Sequence, residues 1–128
     1  MPALNSFDYA VVRLVPSVER GEFINAGIIL FCRDHRFLKA QIELATPRLL
    51  ALAPDLDLPL VQVHLALIPL ICAGGKAAGY IGQLSQNERF HWLVAPSSTI
   101  IQVSPAHSGL CADPTHTLEH LMNKLVRL

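Results

Sequence analysis

The chain has 128 residues, of which 52% are hydrophobic and 16% are charged, and this length fits one domain of ordinary size. Its ten basic and ten acidic residues cancel when the histidines are counted as neutral, so the net charge gives no general attraction for nucleic acid or for an anionic membrane surface. The longest apolar run, residues 58–72, is shorter than the roughly 20 residues that cross a bilayer. We therefore expect neither a nucleic-acid partner nor a membrane partner.

The cysteines and the N-terminal residues indicate in which cellular compartment the protein is expected. Cys32, Cys72 and Cys111 are widely spaced and odd in number, which is typical of a reduced intracellular protein. The first residues lack the basic start and the apolar stretch of a secretory signal. The sequence therefore predicts a cytoplasmic protein.

The first half of the chain predicts three strands. Residues 9–15 and 23–32 are rich in β-branched side chains and are joined by a short polar turn, which predicts a hairpin. The second strand is apolar almost without alternation, so we expect it to be central and covered on both faces. Its even-numbered residues, including Ile24 and Ile28, are expected on one face. Residues 37–44 alternate cleanly, which predicts a strand with one face in water.

Three helices are predicted from their start signals. Thr46-Pro47 opens a short helix that Pro54 ends, and Asp57-Leu58-Pro59 opens a longer one. The longer helix is apolar nearly all round, so we expect it to be a buried core helix. Asp113-Pro114 opens the last helix. One apolar stripe along it is expected to dock on the sheet: Leu118, Leu121, Met122 and Leu125.

Residues 89–95 and 99–104 are interpreted as two further strands, joined by a tight turn at Pro96-Ser97-Ser98. Together these elements predict an α+β fold in a single domain over residues 1–128 without a linker. The expected sheet has about five mostly antiparallel strands, with about three helices packed on it. The order of the strands stays open, because the helical insertion can bring the last two strands to either edge.

Polar side chains are concentrated between residues 88 and 111, and polar groups are costly in a core unless they are hydrogen-bonded. They suggest a hydrolase-like site in which His91, Ser104, His107 and Cys111 are the catalytic candidates. The chain has no strand-to-helix elbow of the Gly-x-Ser-x-Gly kind, and serine beside proline commonly bonds its own backbone. A structural hydrogen-bond network is therefore the simpler interpretation.

A metal site is the next alternative. His107, Cys111, His116 and His120 follow one another at gaps of four, five and four residues, and such ligand types bind zinc. His116 and His120, however, share the polar face of the predicted last helix, where a solvated surface is expected. The sequence therefore favours no metal and no cofactor.

Candidate binding residues stand out as polar or aromatic positions in apolar strands. If the first hairpin pairs, Arg13 and Asn25 are expected to face a common groove. With Arg89 and Glu88 they suggest an anion-binding or ion-paired cluster, for which Trp92 supplies an apolar wall. An ordinary ion pair at a strand end is the simpler alternative.

Three segments carry a resemblance to a known family: YAVVRLVP (residues 9–16), RGEFINAGIIL (residues 20–30), and the block from RFHW (residues 89–92) to HSGLC (residues 107–111). The chain resembles the bacterial family catalogued as domain of unknown function 3037, over nearly its whole length. The resemblance implies no activity and no catalytic residues. It implies a HipA-like kinase as a partner, because members of the family are often encoded beside such serine kinases.

Two functions are therefore expected. The first is a small cytosolic protein-binding or regulatory partner, which binds a HipA-like kinase or forms a homodimer. We prefer it because the chain combines 52% hydrophobic content with no net charge, and because large apolar surfaces mark interfaces. The alternative is a small hydrolase-like enzyme that uses the region of His91, Ser104, His107 and Cys111.

Overall fold

The computed structural model describes residues 3–96 and 99–127. They form an α+β fold, as predicted, with three short 3₁₀ turns besides the main elements. The strands are β1 (Asn5–Leu14), β2 (Ile24–Cys32), β3 (Phe37–Ile42), β4 (Ile101–Val103) and β5 (His107–Cys111). The helices are α1 (Thr46–Leu52), α2 (Leu58–Ala73), α3 (Gln86–Leu93) and α4 (Pro114–Leu125). In the described part of the chain there are thus four helices, where about three were expected.

The five strands form one open antiparallel sheet in the order β3-β2-β1-β4, and β5 also pairs with β1. β1 is the organising strand, because β2 pairs along one of its sides while β5 and β4 share the other. The last two strands therefore lie at the β1 side of the first three. β3 ends the sheet on the opposite side.

Helices cover both faces of the sheet, which we call the α2 face and the α4 face. On the α2 face, sheet residues such as Val12, Ile29 and Phe31 pack with α1, α2 and α3. On the α4 face, residues such as Val11 and Ile28 pack with α4. β2 is buried along nearly its whole length, so the prediction of a central strand covered on both faces is confirmed.

The β1–β2 hairpin forms as predicted but contains a β-bulge. Val12 pairs with Gly27, whereas the next residue, Arg13, pairs with Asn25, so that Ala26 is the extra residue of β2. An extra residue reverses the alternation of the side chains beyond it. Ile24 therefore packs in the core of the α2 face, and its predicted place beside Ile28 is wrong.

The two helices before residue 74 begin close to the predicted positions. Asp57 caps α2 by accepting a hydrogen bond from the backbone N–H of Leu60 (3.2 Å). The prediction that α2 is a buried core helix is wrong, because Leu60, Val63 and Leu67 are exposed on its outer side. No helix in the described part of the chain is long and apolar enough to cross a membrane.

The predicted strand at residues 89–95 is wrong, because this segment is the helix α3. Ser85 and Glu88 form a capping box in which the Ser85 hydroxyl accepts the Glu88 N–H (3.2 Å). That pattern, Ser-x-x-Glu, starts a helix by satisfying backbone N–H groups that no helical carbonyl reaches. The hairpin expected with residues 99–104 is therefore absent, and β4 pairs with β1 instead. Ser97 and Ser98 of its predicted turn lie outside the described residues.

The last strand and the last helix complete the sheet and cover it. β5 pairs with β1, at residues where no strand was expected. α4 starts as predicted, since the Asp113 carboxylate accepts the N–H groups of Thr115 (3.0 Å) and His116 (3.4 Å). At its other end Arg127 bonds Glu43 and Glu119, and the hydrogen bond from Arg127 lowers the pKa of the Glu119 carboxyl.

Candidate functional site

An apolar groove of about 390 Å³ runs between α2, the C-terminal end of α3 and β4. Its floor comes from α2 and β4, and Trp92 forms part of its wall. The described residues that line it include no lysine, arginine, aspartate or glutamate. They are His64, Leu67, Ile68, Ile71, Trp92, Leu93, Ala95, Pro96, Thr99, Ile101 and Val103.

Exposed apolar side chains continue from this groove along the outer side of α2. Leu60, Val63 and Leu67 are 50%, 63% and 47% exposed, and Trp92 is 52% exposed. We call these four residues the α2 patch. Leu60, Val63 and Leu67 recur at intervals of three and four residues, so they lie on one side of the helix. Large apolar side chains grouped in this way are typical of a surface that another protein covers.

Ser104, a catalytic candidate, is bound on both sides by backbone. Its hydroxyl accepts the N–H of Val11 (2.9 Å) and donates to the carbonyl of Pro105 (3.0 Å). The residue is only 1% exposed. A hydroxyl held in this way closes the end of β4 onto β1, and no base among the candidates bonds to it.

The other three catalytic candidates lie apart. His107 is exposed beside Tyr9, with ring centroids 5.3 Å apart, whereas Cys111 is buried four residues further along β5. At roughly 3.4 Å per residue that separation is about 14 Å. Burial, followed by the neighbouring Cys32, raises the pKa of the Cys111 thiol, which disfavours the nucleophilic thiolate. His91 sits on α3, where its Nδ1 bonds the carbonyl of Asn87 (2.7 Å).

The residues weighed as metal ligands are likewise dispersed. His116 and His120 lie on the exposed side of α4, away from the buried Cys111. Within residues 3–96 and 99–127 no group of three or more histidine, cysteine, aspartate or glutamate side chains is placed to hold a metal ion.

Arg13 and Asn25 are cross-strand partners on the α4 face. The Arg13 guanidinium lies over the ring of Phe23, 4.5 Å from its centroid. The Asn25 amide donates to the carbonyl of Leu125 (3.0 Å) and ties the end of α4 to the hairpin. The Arg13 Nε and the Asn25 Oδ1 are buried without a hydrogen-bond partner in the described structure.

Arg89 does not join Arg13, because it lies on the α2 face. Its Nη1 donates to the carbonyls of Ile71 (2.9 Å) and Cys72 (2.6 Å), and its Nε donates to the carbonyl of Leu84 (3.1 Å). The last carbonyls of a helix have no helical partner and carry its negative dipole end. Arg89 therefore caps the C-terminal end of α2 from the neighbouring helix.

Gly74 leaves the room that this cap needs. A Cβ at this position would lie 2.7 Å from the Arg89 Nη1, and the residue has a φ of +76°. A side chain here would therefore displace the guanidinium and strain the backbone. The Arg89 cap also affects Cys72, whose burial raises the pKa of the thiol to about 12 although the nearby guanidinium acts in the opposite direction.

Of the candidates chosen from the sequence, Trp92 alone belongs to the α2 patch. Sequence reasoning missed Leu60, Val63 and Leu67 as surface residues. The signal was available in α2, which carries apolar side chains nearly all round. Because the sheet covers only one side of such a helix, the apolar side chains on its other side remain exposed.

Comparison with known families agrees with the resemblance noted in the sequence. Residues 9–126 match the family described as "Protein of unknown function (DUF3037)". No curated protein matches the chain, and no solved structure does. Because the match spans nearly the whole chain, the protein belongs to the DUF3037 family.

Proposed function

We propose that this protein is a protein-binding module that acts in the cytoplasm and contacts its partner through the α2 patch. The single observation that carries the proposal is the apolar groove beside Trp92, continued by Leu60, Val63 and Leu67 at about half exposure or more. Three cysteines that form no disulfide support the reducing compartment.

The chemistry of the patch specifies the partner's contact surface. Since the described lining residues include no lysine, arginine, aspartate or glutamate, they offer a buried partner charge no ion pair with such a side chain. An apolar or aromatic anchor would instead exchange water for the walls of the groove, and fully burying one large apolar side chain is worth about 1.5–3 kcal/mol. Tryptophan is also enriched among the residues that dominate binding energies.

The family resemblance makes a HipA-like kinase the first partner to test, and a second copy of this chain is the other. Regulation of such a kinase requires that the complex forms reversibly at cellular concentration. A small apolar patch with one tryptophan fits that requirement better than an extensive obligate interface does.

The experiment compares three tagged proteins in their own host at native expression level: the wild type, Trp92→Glu, and Leu110→Glu as a matched control. Leu110 is 66% exposed on β5, so its variant carries the same new charge on another element. A stoichiometric partner retained by the wild type and by Leu110→Glu, but lost from Trp92→Glu, supports the proposal. The complex is then rebuilt from purified components.

Self-association is measured in parallel by light scattering of the purified proteins. A dimer of the wild type that dissociates in Trp92→Glu identifies a second copy as the occupant. If the folded wild type binds neither itself nor another protein, the proposal is wrong. The hydrolase-like alternative is then tested with Ser104→Ala and His107→Ala, although neither residue has catalytic geometry in this structure.

A further inference from the structure

The free edge of β3 borders a second groove, of about 450 Å³. Five consecutive residues of the edge segment, residues 36–40, line one side of it. The last turns of α2 and the start of α3 line the other, through Pro69, Cys72, Ala73 and Gln86. A groove between a strand edge and a helix is the arrangement in which an extended peptide adds to a sheet.

The register of the sheet shows which backbone groups face this groove. The N–H of Glu43 donates to the carbonyl of Ala26 (2.8 Å). Because hydrogen-bonded pairs alternate in an antiparallel ladder, Gln41 and Lys39 also direct their backbone groups to β2. Leu38 and Ala40 therefore direct their backbone N–H and C=O groups outward, and no other strand in the described part of the chain pairs with β3 on that side.

The charges around the groove favour an acidic occupant. Arg36 and Lys39 both border the groove. The Lys39 side chain extends from the α4 face of β3, where its Nζ lies 5.5 Å from the centroid of the Phe37 ring, so it meets alternate side chains of an added strand. Neither residue forms a salt bridge with a carboxylate of the described residues. The negative end of α2 does not oppose this preference, because Arg89 occupies the carbonyls of Ile71 and Cys72.

A second copy of the chain fits this edge poorly. If two β3 strands paired about a twofold axis, with Leu38 of each copy opposite Ala40 of the other, the two Lys39 side chains would face each other. Like charges on facing strands are destabilising, and lysine on an edge strand is a common means of keeping identical edges apart. The edge is therefore suited to a chain of opposite charge.

We propose that the free edge of β3, together with the C-terminal turns of α2, binds an extended acidic segment of a partner protein by strand addition. The backbone of Leu38 and Ala40 supplies the ladder hydrogen bonds. Arg36 and Lys39 select acidic side chains. This site is distinct from the α2 patch and does not require that patch to bind anything.

The test uses fluorescent eight-residue peptides in which glutamate alternates with different apolar residues, with lysine replacing glutamate in the control set. Binding is measured by fluorescence anisotropy, and the backbone amides of β3 are followed by NMR. We expect saturable binding of acidic peptides, shifts centred on Leu38 and Ala40, and a loss of affinity as salt screens the charges. N-methylation of alternate peptide nitrogens, which removes ladder donors, should abolish binding.

Two variants separate the charge from the backbone. Lys39→Glu changes an exposed side chain and should weaken acidic peptides at least tenfold. Ala40→Pro keeps both charges but removes an outward N–H, so it should also weaken the acidic peptides at least tenfold, with circular dichroism to confirm folding. The matched control is Leu110→Glu on β5, where the side chain is 66% exposed; it should bind the peptides as the wild type does. Absence of saturable binding by every acidic peptide, or binding indifferent to Lys39→Glu, would overturn the proposal.

Discussion

Arg89 provides the sharpest test of how this fold is held together. It is 8% exposed, carries a full charge, and donates to three backbone carbonyls without a carboxylate. We predict that Arg89→Met destabilises the protein by about 2–4 kcal/mol, although methionine fills much of the same space.

The magnitude follows from two opposing terms. Hydrogen bonds from a charged donor are worth about 1.5–3 kcal/mol each, so three of them set a ceiling of roughly 4.5–9 kcal/mol. Against this stands the loss of hydration of a buried guanidinium, which costs several kcal/mol and is removed together with the charge. The stability of Arg89→Lys should lie between those of the wild type and Arg89→Met, with a loss of about 1–2 kcal/mol. One ammonium group cannot reach the carbonyls at the end of α2 and the carbonyl of Leu84 together, as the planar guanidinium does.

The assay is urea denaturation followed by circular dichroism, with thermal unfolding as a second measure. For a chain of this length a loss of 3 kcal/mol lowers Tm by about 10 °C. Arg48→Met is the matched control, because Arg48 is exposed on α1 and its replacement should change stability by less than about 0.5 kcal/mol. If Arg89→Met unfolds at the same urea concentration as the wild type, the guanidinium contributes no net stability and its role as a cap is refuted.

Two further predictions concern buried polar groups. Because the pKa of Cys72 is about 12 in the folded protein and ordinary in the unfolded chain, the unfolded state loses its proton first as pH rises. Stability should therefore fall between about pH 9 and pH 12, by up to about 1.4 kcal/mol per pH unit, and urea titrations of Cys72→Ala should show a shallower fall. Ser104→Ala leaves the buried N–H of Val11 without its acceptor and should cost about 1–3 kcal/mol; a variant as stable as the wild type in the same assay contradicts the structural role of that hydroxyl.

The sheet could be predicted from the sequence where its patterns are local. Strand-like alternation or continuous apolar character identifies the runs at residues 9–15, 23–32 and 37–44. The helix starts at Asp57 and Asp113 are recognisable because an aspartate before a helix accepts hydrogen bonds from its first backbone N–H groups. The prediction failed for α3 because Phe90, Trp92 and Val94 alternate as a strand would. The capping box at Ser85 and Glu88 was the stronger signal, since it specifies how a helix starts, whereas a short apolar run fits either structure.

The bulge and β5 were missed for different reasons. A single extra residue at Ala26 reverses the faces of everything before it in β2. The available signal was Gly27, because an isolated glycine within a strand is typical of a bulge. β5 has only a weak apolar pattern, since His107, Ser108 and Leu110 are exposed and Cys111 is its one buried residue. It forms because β1 is long enough to pair with two short strands on one edge. Such elements depend on tertiary partners rather than on propensity.

The chemistry of the candidate residues shows why binding is the better proposal. A polar side chain that serves catalysis must keep a donor or acceptor for its substrate, yet Ser104 and Arg89 give theirs to the backbone. Trp92 behaves in the opposite way: its ring stays about half exposed beside a groove, although burying it inside the same protein would be favourable. These polar groups are satisfied by the chain's own backbone, whereas the apolar side chains of the α2 patch remain in water. The α2 patch is therefore where we propose that a partner protein binds.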